Sequence, residues 1–320
     1  MLDVYLTIDV EIWCDGWADI DAKFASSFRQ YIYGFTPSGE YGLRYQCQVL
    51  RDHGLIGVFF VEPLFSGRFG EAPLAEIVGL LLDRRQEVQL HLHTEWVDEW
   101  AVPPIAEVGG KRRFMRDWTR EQQRVLIEEG IIRLERAGAP RPDCFRAGSF
   151  GFNTDTLEAL GLAGVLMDSS YNATAFGPSS GVAQGALLFD THTEQGITEF
   201  PLTVYDTGFR RLRHAQLGAC SASEIEGLQW AALNQGRRSF VLLSHNFELL
   251  TPSKLRCDPV VVSRFRQLCR FLERHRDCFR VRGFRGLPPP APGPQPAPLR
   301  SSAWRSTWRV GEQIYRRRFA

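Results

Sequence analysis

Along most of its length the chain alternates short β-rich apolar runs with longer stretches whose apolar residues recur every three or four positions. Val4 to Ile8 is the first such run, and Leu55 to Val61 is continuous enough for a strand covered on both faces. Between them, residues 40 to 53 place Leu43, Cys47 and Leu50 on one helical face, and Pro73 to Arg84 carries a Leu-Ile-Val stripe leading straight into an extended run over residues 88 to 93. A Thr-x-x-Gln capping box at Thr119 to Gln122 opens a helix to Ala137. Cys144 to Gly148 is a short strand, a helix capped by Asn153 or Thr154 runs through Leu160, and Gly164 to Met167 is the next strand. Residues 94 to 117 form a long loop, and residues 171 to 196 a second with one hairpin strand near Ala186 to Asp190. Ile197 to Val204 is extended. A helix from Ser221 to about Asn234, a strand at Ser239 to Leu243, a helix from Pro259 to His275 and a strand near Phe279 to Val281 complete the pattern. Strands alternating with helices imply a mostly parallel sheet, closed or partly closed.

The length of 320 residues and 44% hydrophobic content allow a full core. A net charge of +1 gives no general reason to expect nucleic acid as a partner. The charge is nonetheless uneven, since residues 287 to 320 hold six Arg and one acid. Seven prolines between Gly286 and Arg300 make residues 286–300 an extended linker. Beyond it, residues 301–320 mix Trp304, Trp308, Ile314 and Tyr315 with Arg305, Arg309, Arg316, Arg317 and Arg318. That basic aromatic tail is solvated or weakly docked, or else suited to a partner or an anionic membrane surface. Seven scattered cysteines without a CxxC spacing suggest buried thiols in a reducing compartment. With no signal-like start and no apolar run of spanning length, the expected location is cytoplasmic, the tail offering any peripheral membrane contact.

The chemistry gathers where the strands end. His91 and His93, one residue apart in an extended run, face the same side, as do Asp9 and Glu11. Arg146, Asp168 and His245 close three further strands. Since parallel α/β folds collect their sites at the carboxyl ends of strands, these groups are expected to share one polar site. A carboxylate with imidazoles can hold a divalent ion that acidifies water, and an unligated carboxylate can take the proton. A histidine from a distant strand can return a proton to the leaving group, and an arginine beside the base would keep it ionised.

Those segments resemble the motifs of the polysaccharide deacetylase family, the NodB-homology domain of carbohydrate esterase family four. The resemblance covers roughly residues 1 to 285. It rests on Thr7-Ile8-Asp9-Val10-Glu11, Glu87-Val88-Gln89-Leu90-His91-Leu92-His93-Thr94, Phe145-Arg146-Ala147-Gly148-Ser149-Phe150 and Val241-Leu242-Leu243-Ser244-His245, in the family's order. It implies an α/β fold, a distorted or incomplete (β/α) barrel of about seven parallel strands over residues 1–285. It also implies a hydrolase of carbon–nitrogen bonds that removes N-acetyl groups from an amino sugar in a glycan or lipid-linked precursor, with a divalent metal, zinc by family habit. Asp9 would be the base, Arg146 its orienter, His245 the acid and Glu11 a ligand. The family's paired histidines lie four apart, and here the position four after His91 is Glu95. The ligand set is therefore His91 with Glu95 or the His91 and His93 pair, and a metal-free hydrolysis of cyclic amides or a non-catalytic carbohydrate-binding role are the alternatives. Glu95, Trp96, Ser149, Phe150, Asp168 and Asn246, beside these motifs, are the expected substrate contacts.

Overall fold

A computed structural model describes residues 1–106, 108–209, 211–288 and 293–319. In chain order the elements are β1 (Leu2–Val10), α1 (Ile20–Phe28), the hairpin β2 (Phe35–Thr36) and β3 (Gly39–Glu40), α2 (Leu43–Asp52), β4 (Val58–Val61), α3 (Ser66–Phe69), α4 (Ala72–Leu82) and β5 (Glu87–Leu92). There follow α5 (Arg120–Arg136), β6 (Cys144–Ala147), α6 (Thr154–Leu162), β7 (Met167–Asp168), β8 (His192–Glu194), β9 (Ile197–Glu199), β10 (Val204–Asp206) and β11 (Leu212–His214). The chain ends with α7 (Ala222–Asn234), β12 (Ser239–His245), α8 (Pro259–Arg274), β13 (Phe279–Val281), β14 (Leu299–Arg300) and α9 (Ala303–Phe319).

Seven strands run parallel in the order β12-β1-β4-β5-β6-β7-β9, with β8 antiparallel at the edge and β13 beside the start of β1. The gap between β9 and β12 is crossed by single hydrogen bonds. Val241 N donates to Thr203 Oγ1 at 2.8 Å, Leu243 N to Ala215 O at 3.0 Å, and Leu217 N to Leu243 O at 3.0 Å. The result is the expected distorted barrel.

The two-residue period of the strands separates two cores. Val4, Leu6, Ile8 and Val10 of β1 join the larger core under the helices, whereas Tyr5 packs inside with Val58, Phe60, Cys144, Phe200, Val241, Leu243 and Phe284. Tyr5 and Phe284 stack at 4.6 Å across the amino-terminal end of the barrel. Farther along β1 the alternate positions after Tyr5 are Thr7 and Asp9, both buried and polar. The carboxyl end is thus the polar end.

Three local expectations change. The hairpin strand placed at Ala186 to Asp190 lies instead at His192–Glu194, because Gln195 and Gly196, with φ of 52° and 79°, make the two-residue turn into β9. The stretch between β1 and β2, given no element by the apolar pattern, contains α1. The carboxyl-terminal segment is a docked helix and not a solvated tail. Arg309 meets the fully buried Glu224 at 3.2 Å, Arg316 meets Asp258 at 2.7 Å, and Glu312 receives Arg264 at 2.7 Å. Its arginines find partners on α7 and at the start of α8, far away in sequence. Residues 289–292 of the expected linker lie outside the described residues, as do the side chains of Trp308, Tyr315, Arg317 and Arg318. Leu299–Arg300, at the linker's end, pairs with β10. Among the described residues no helix is long and apolar enough to cross a membrane, and all seven cysteines are unpaired.

Candidate active site

Strand register brings the polar side chains to one level. Asp9 of β1 pairs with His245 of β12, and His91 of β5 pairs with Arg146 of β6. Ligand-type atoms of Glu11, His91 and His93 lie within 4.8 Å of one another, as do those of Asp9, Glu11 and His245.

Both imidazoles aim at one oxygen. Glu11 Oε1 is 3.2 Å from His91 Nε2 and 2.9 Å from His93 Nε2. His91 Nδ1 lies 2.8 Å from the Arg146 carbonyl, which can only accept, so a neutral His91 turns a bare Nε2 lone pair toward the carboxylate. Two lone pairs facing each other are held together by a cation between them, a proton on the ring or a metal ion, and an N,N,O set of this kind suits a divalent ion such as zinc. Burial alone would raise Glu11, but the charge on His93 and hydrogen bonds from His91 and His93 outweigh it and hold the carboxyl well below its usual range. His93 is pulled down by burial yet lifted to about 10 by Glu11 and Glu95. Trp13 Nε1 donates to the other Glu11 oxygen at 2.7 Å. Gly148 makes room for the cluster, since a Cβ there would meet Leu92 O at 2.7 Å and His93 Nδ1 at 2.8 Å.

Glu95 leaves the strand on the turn Thr94–Glu99 and approaches His93 from behind, 3.4 Å from Nδ1. Of the two ligand sets open from sequence, the geometry therefore groups His91 and His93 with Glu11. Glu95 supports the second histidine from outside.

Arg146 is wholly buried and spans the barrel. Its Nη1 donates to Asp9 Oδ1 at 2.6 Å and to Thr7 Oγ1 at 2.9 Å, while Nε and Nη2 are held by Ser169 O and Ser169 Oγ. The guanidinium also lies 4.2 Å from the Phe60 ring centroid. Opposite, His245 Nδ1 bonds Glu248 Oε2 at 2.8 Å, and Glu248 is itself fixed by Gln216 Nε2 and Gly218 N. Burial works against the imidazolium, but Glu248 first, then Glu11 and Asp9, raise His245 to about 9.

These groups open into one cleft of about 500 Å³, lined by Asp9, Glu11, Trp13, His93, Arg113, Phe114, Ala147, Ser149, Phe150, Phe176 and His245. That volume accommodates a small molecule. Ser149 and Phe150 hold φ of 52° and 58°, two successive non-glycine residues in the left-handed region, which costs on the order of 1–2 kcal/mol each. The strain turns this segment toward the cleft.

Four expected substrate contacts do not reach the cleft wall. Trp96 is buried behind it, stacked 6.4 Å from Trp13 and edge-on to Trp17. Asn246 is fully buried and clamps the backbone of Glu11, accepting from its N at 3.1 Å and donating to its O at 3.0 Å. Asp168 accepts from Ser170 Oγ at 2.6 Å, and that hydroxyl accepts from Ala147 N, so the carboxyl props the strand-to-cleft segment from beneath. Burial raises Asp168 and pushes its hydrogen-bonded neighbour Glu199 well above the usual range. Glu95 is the fourth. Conversely, sequence reasoning missed Trp13, Arg113, Phe114, Phe176 and Glu248. For Glu248 a local signal existed, its spacing of three from His245.

No family model and no curated relative matches the sequence. Solved structures do. A protein of Mycobacterium smegmatis assigned as a polysaccharide deacetylase superposes with a TM-score of 0.52 at 17% identity, over 88% of this chain and 87% of that one. The fold is that of a polysaccharide deacetylase. The 4-alpha-glucanotransferase of Thermococcus litoralis shares it at a TM-score of 0.54 and 11% identity, over 88% of this chain but 39% of that one. A family 4 carbohydrate esterase from Streptomyces lividans, in complex with acetate, matches at 0.41 and 14% over 86% and 89%. Because a deacetylase fold and a glucanotransferase overlap here, fold does not choose the reaction, and the site must.

Proposed function

We propose that this chain is a hydrolase of carbon–nitrogen bonds that removes the N-acetyl group from an amino sugar carried on a glycan or glycolipid precursor, with a divalent cation, zinc by its donor set. One observation carries this reading: an N,N,O cluster, a carboxylate gripped by a buried arginine, and an imidazole backed by a second carboxylate all converge in a single cleft. Glu11, His91 and His93 would hold the cation. When bound, it supplies a Lewis acid that acidifies water and polarises the acetyl carbonyl.

Arg146 occupies Asp9 Oδ1, leaving Oδ2 for the water. Asp9 takes a proton from that water as its oxygen bonds to the acetyl carbon. His245 then passes a proton to the amide nitrogen as the carbon–nitrogen bond breaks, releasing acetate and a free amine. Glu248 keeps His245 charged beforehand and steadies its orientation. Ser149 and Phe150 line the side of the cleft where the acetamido group would lie, with Trp13, Phe114 and Phe176 as apolar walls for the sugar.

The test is acetate release from N-acetylated amino sugars with zinc added and with chelator. Asp9→Asn is expected to abolish turnover while retaining one metal per chain, and normal activity in that variant refutes the base assignment. Turnover that survives complete metal removal favours cyclic amide hydrolysis. Metal binding and sugar binding without acetate release favour a carbohydrate-binding relative.

A further inference from the structure

We propose that the amino sugar carries a phosphate ester, recognised at the mouth of the cleft by Arg113 with help from Arg116. This deepens the deacetylase reading and rests on it for the position of the sugar.

The segment Lys111-Arg112-Arg113-Phe114-Met115-Arg116 places four cations in six residues over the site. Two are accounted for locally. Lys111 pairs with Glu99 and Asp98, and Arg112 donates to Asp117 O while lying over the Trp118 ring at 4.5 Å. Arg113 is different. It is exposed, lines the cleft, lies 5.5 Å from the Phe114 ring and, among the described residues, donates only from Nε, to Ser149 Oγ at 3.1 Å. That leaves its two terminal nitrogens without a carboxylate among the described residues. Arg116, unlike Arg112, sits on a ring of the cleft wall, 4.2 Å over Phe176, and donates to Ser179 Oγ with no carboxylate among the described residues. Phe114 and Phe176, packed at 4.8 Å, connect the two arginines along one rim.

The cleft is therefore polarised. Asp9 and Glu11 bring carboxylates to its lining, and Arg113, held to Ser149, brings an exposed guanidinium beside the position proposed for the acetamido group. A neutral glycan would leave that charge unused. A carboxylate on the sugar would neutralise one guanidinium, whereas a phosphate ester can accept from both and matches the fork of Arg113. An amino sugar with phosphate on its ring or at its anomeric carbon, next to the acetamido group, would present that phosphate to Arg113. The same chemistry occurs in a simple sugar phosphate, a nucleotide-linked sugar and a lipid-diphosphate sugar.

The experiment compares acetate release from N-acetylglucosamine, its 1-phosphate and its uridine diphosphate derivative, with wild type, Arg113→Gln and Arg113→Gln/Arg116→Gln. Expected is a preference in kcat/KM of about tenfold or more for a phosphorylated form, the size of a charge-assisted contact, narrowing when salt is raised. Arg113→Gln should cut that preference about tenfold. Preference for the 1-phosphate over the nucleotide points to a monophosphate or lipid carrier, and the reverse to a nucleotide. Equal kcat/KM on neutral and phosphorylated sugars overturns the proposal, as does a preference that survives the double variant. If none of these sugars yields acetate, titrating the 1-phosphate into wild type and double variant still decides it. Binding weakened about tenfold in the variant upholds the anion site although deacetylation has failed, and equal or absent binding overturns it. Unfolding curves of both variants check that the fold is intact.

Discussion

Replacing Glu248 by Gln tests whether His245, the proposed acid, is kept charged by one ion pair. Gln is isosteric, and its amide oxygen can still accept from His245 Nδ1, so ring orientation and tautomer should persist while the charge is lost. Burial pulls His245 below its ordinary value, with Glu248 the leading group that lifts it to about 9. Without that charge, burial set against the remaining lift from Glu11 and Asp9 is expected to return the imidazole to about its ordinary 6.5. At pH 8 a group titrating near 9 is about 90% protonated and one near 6.5 about 3%, so an acid-limited rate should fall about thirtyfold. At pH 6 the two differ by less than about twofold. The assay is kcat/KM for acetate release from pH 5.5 to 10, beside an NMR titration of His245. Stability should move with it. Because folding raises His245, its contribution, up to about 3 kcal/mol, is fully present below pH 6.5 and is lost as pH rises through 9. The gap in unfolding free energy between wild type and variant should therefore be widest in mild acid and close above pH 9. An alkaline limb that stays near pH 9 in the variant refutes the ion-pair account, and so does a rate loss of equal size at every pH.

Further outcomes test the supports of the site. Trp13→Phe removes the 2.7 Å hydrogen bond that orients Glu11 and should weaken metal affinity about tenfold in a chelator competition, with the fold unchanged. Gly148→Ala drives a methyl against Leu92 O and His93 Nδ1, so zinc binding should be lost and stability should fall by about 1–3 kcal/mol in urea unfolding. Arg309→Ala leaves the fully buried Glu224 without its guanidinium and should cost about 3 kcal/mol by the same measurement, whereas an unchanged midpoint would show that α9 adds nothing to the folded body.

Much of the barrel was legible because strand and helix periods differ and the strands are short and fully apolar on one side. The β1 and β5 segments carry their chemistry at spacing two, so Asp9 with Glu11 and His91 with His93 could be placed on one wall from sequence alone. Arg146 and His245 were recognisable as strand-end residues inside matching motifs. What could not be seen was pairing across the fold. Glu224 and Asp258 give no sign in sequence that they pair with arginines at 309 and 316, so the sequence leaves the carboxyl-terminal segment open between a solvated or weakly docked tail and a partner- or membrane-binding one. Likewise, the 111–116 segment is one strongly basic loop on paper, and only the structure separates Lys111, neutralised by Glu99, from Arg113, which stands over the cleft.

The ligand choice at Glu95 shows the limit most sharply. Spacing offers two partners for His91, one at two residues and one at four, and the choice depends on where the strand stops. Had the chain turned helical at His91, residues 91 and 95 would share a face. Instead β5 stays extended through Leu92, and the 3₁₀ turn begins at Thr94. His93 consequently keeps the strand's inward direction toward Glu11, and Glu95 is carried behind it. The same turn sends Trp96 under Trp13, whose indole N–H fixes the second oxygen of Glu11. One change of backbone period thus decides which side chains can meet a cation and which hold those side chains in place.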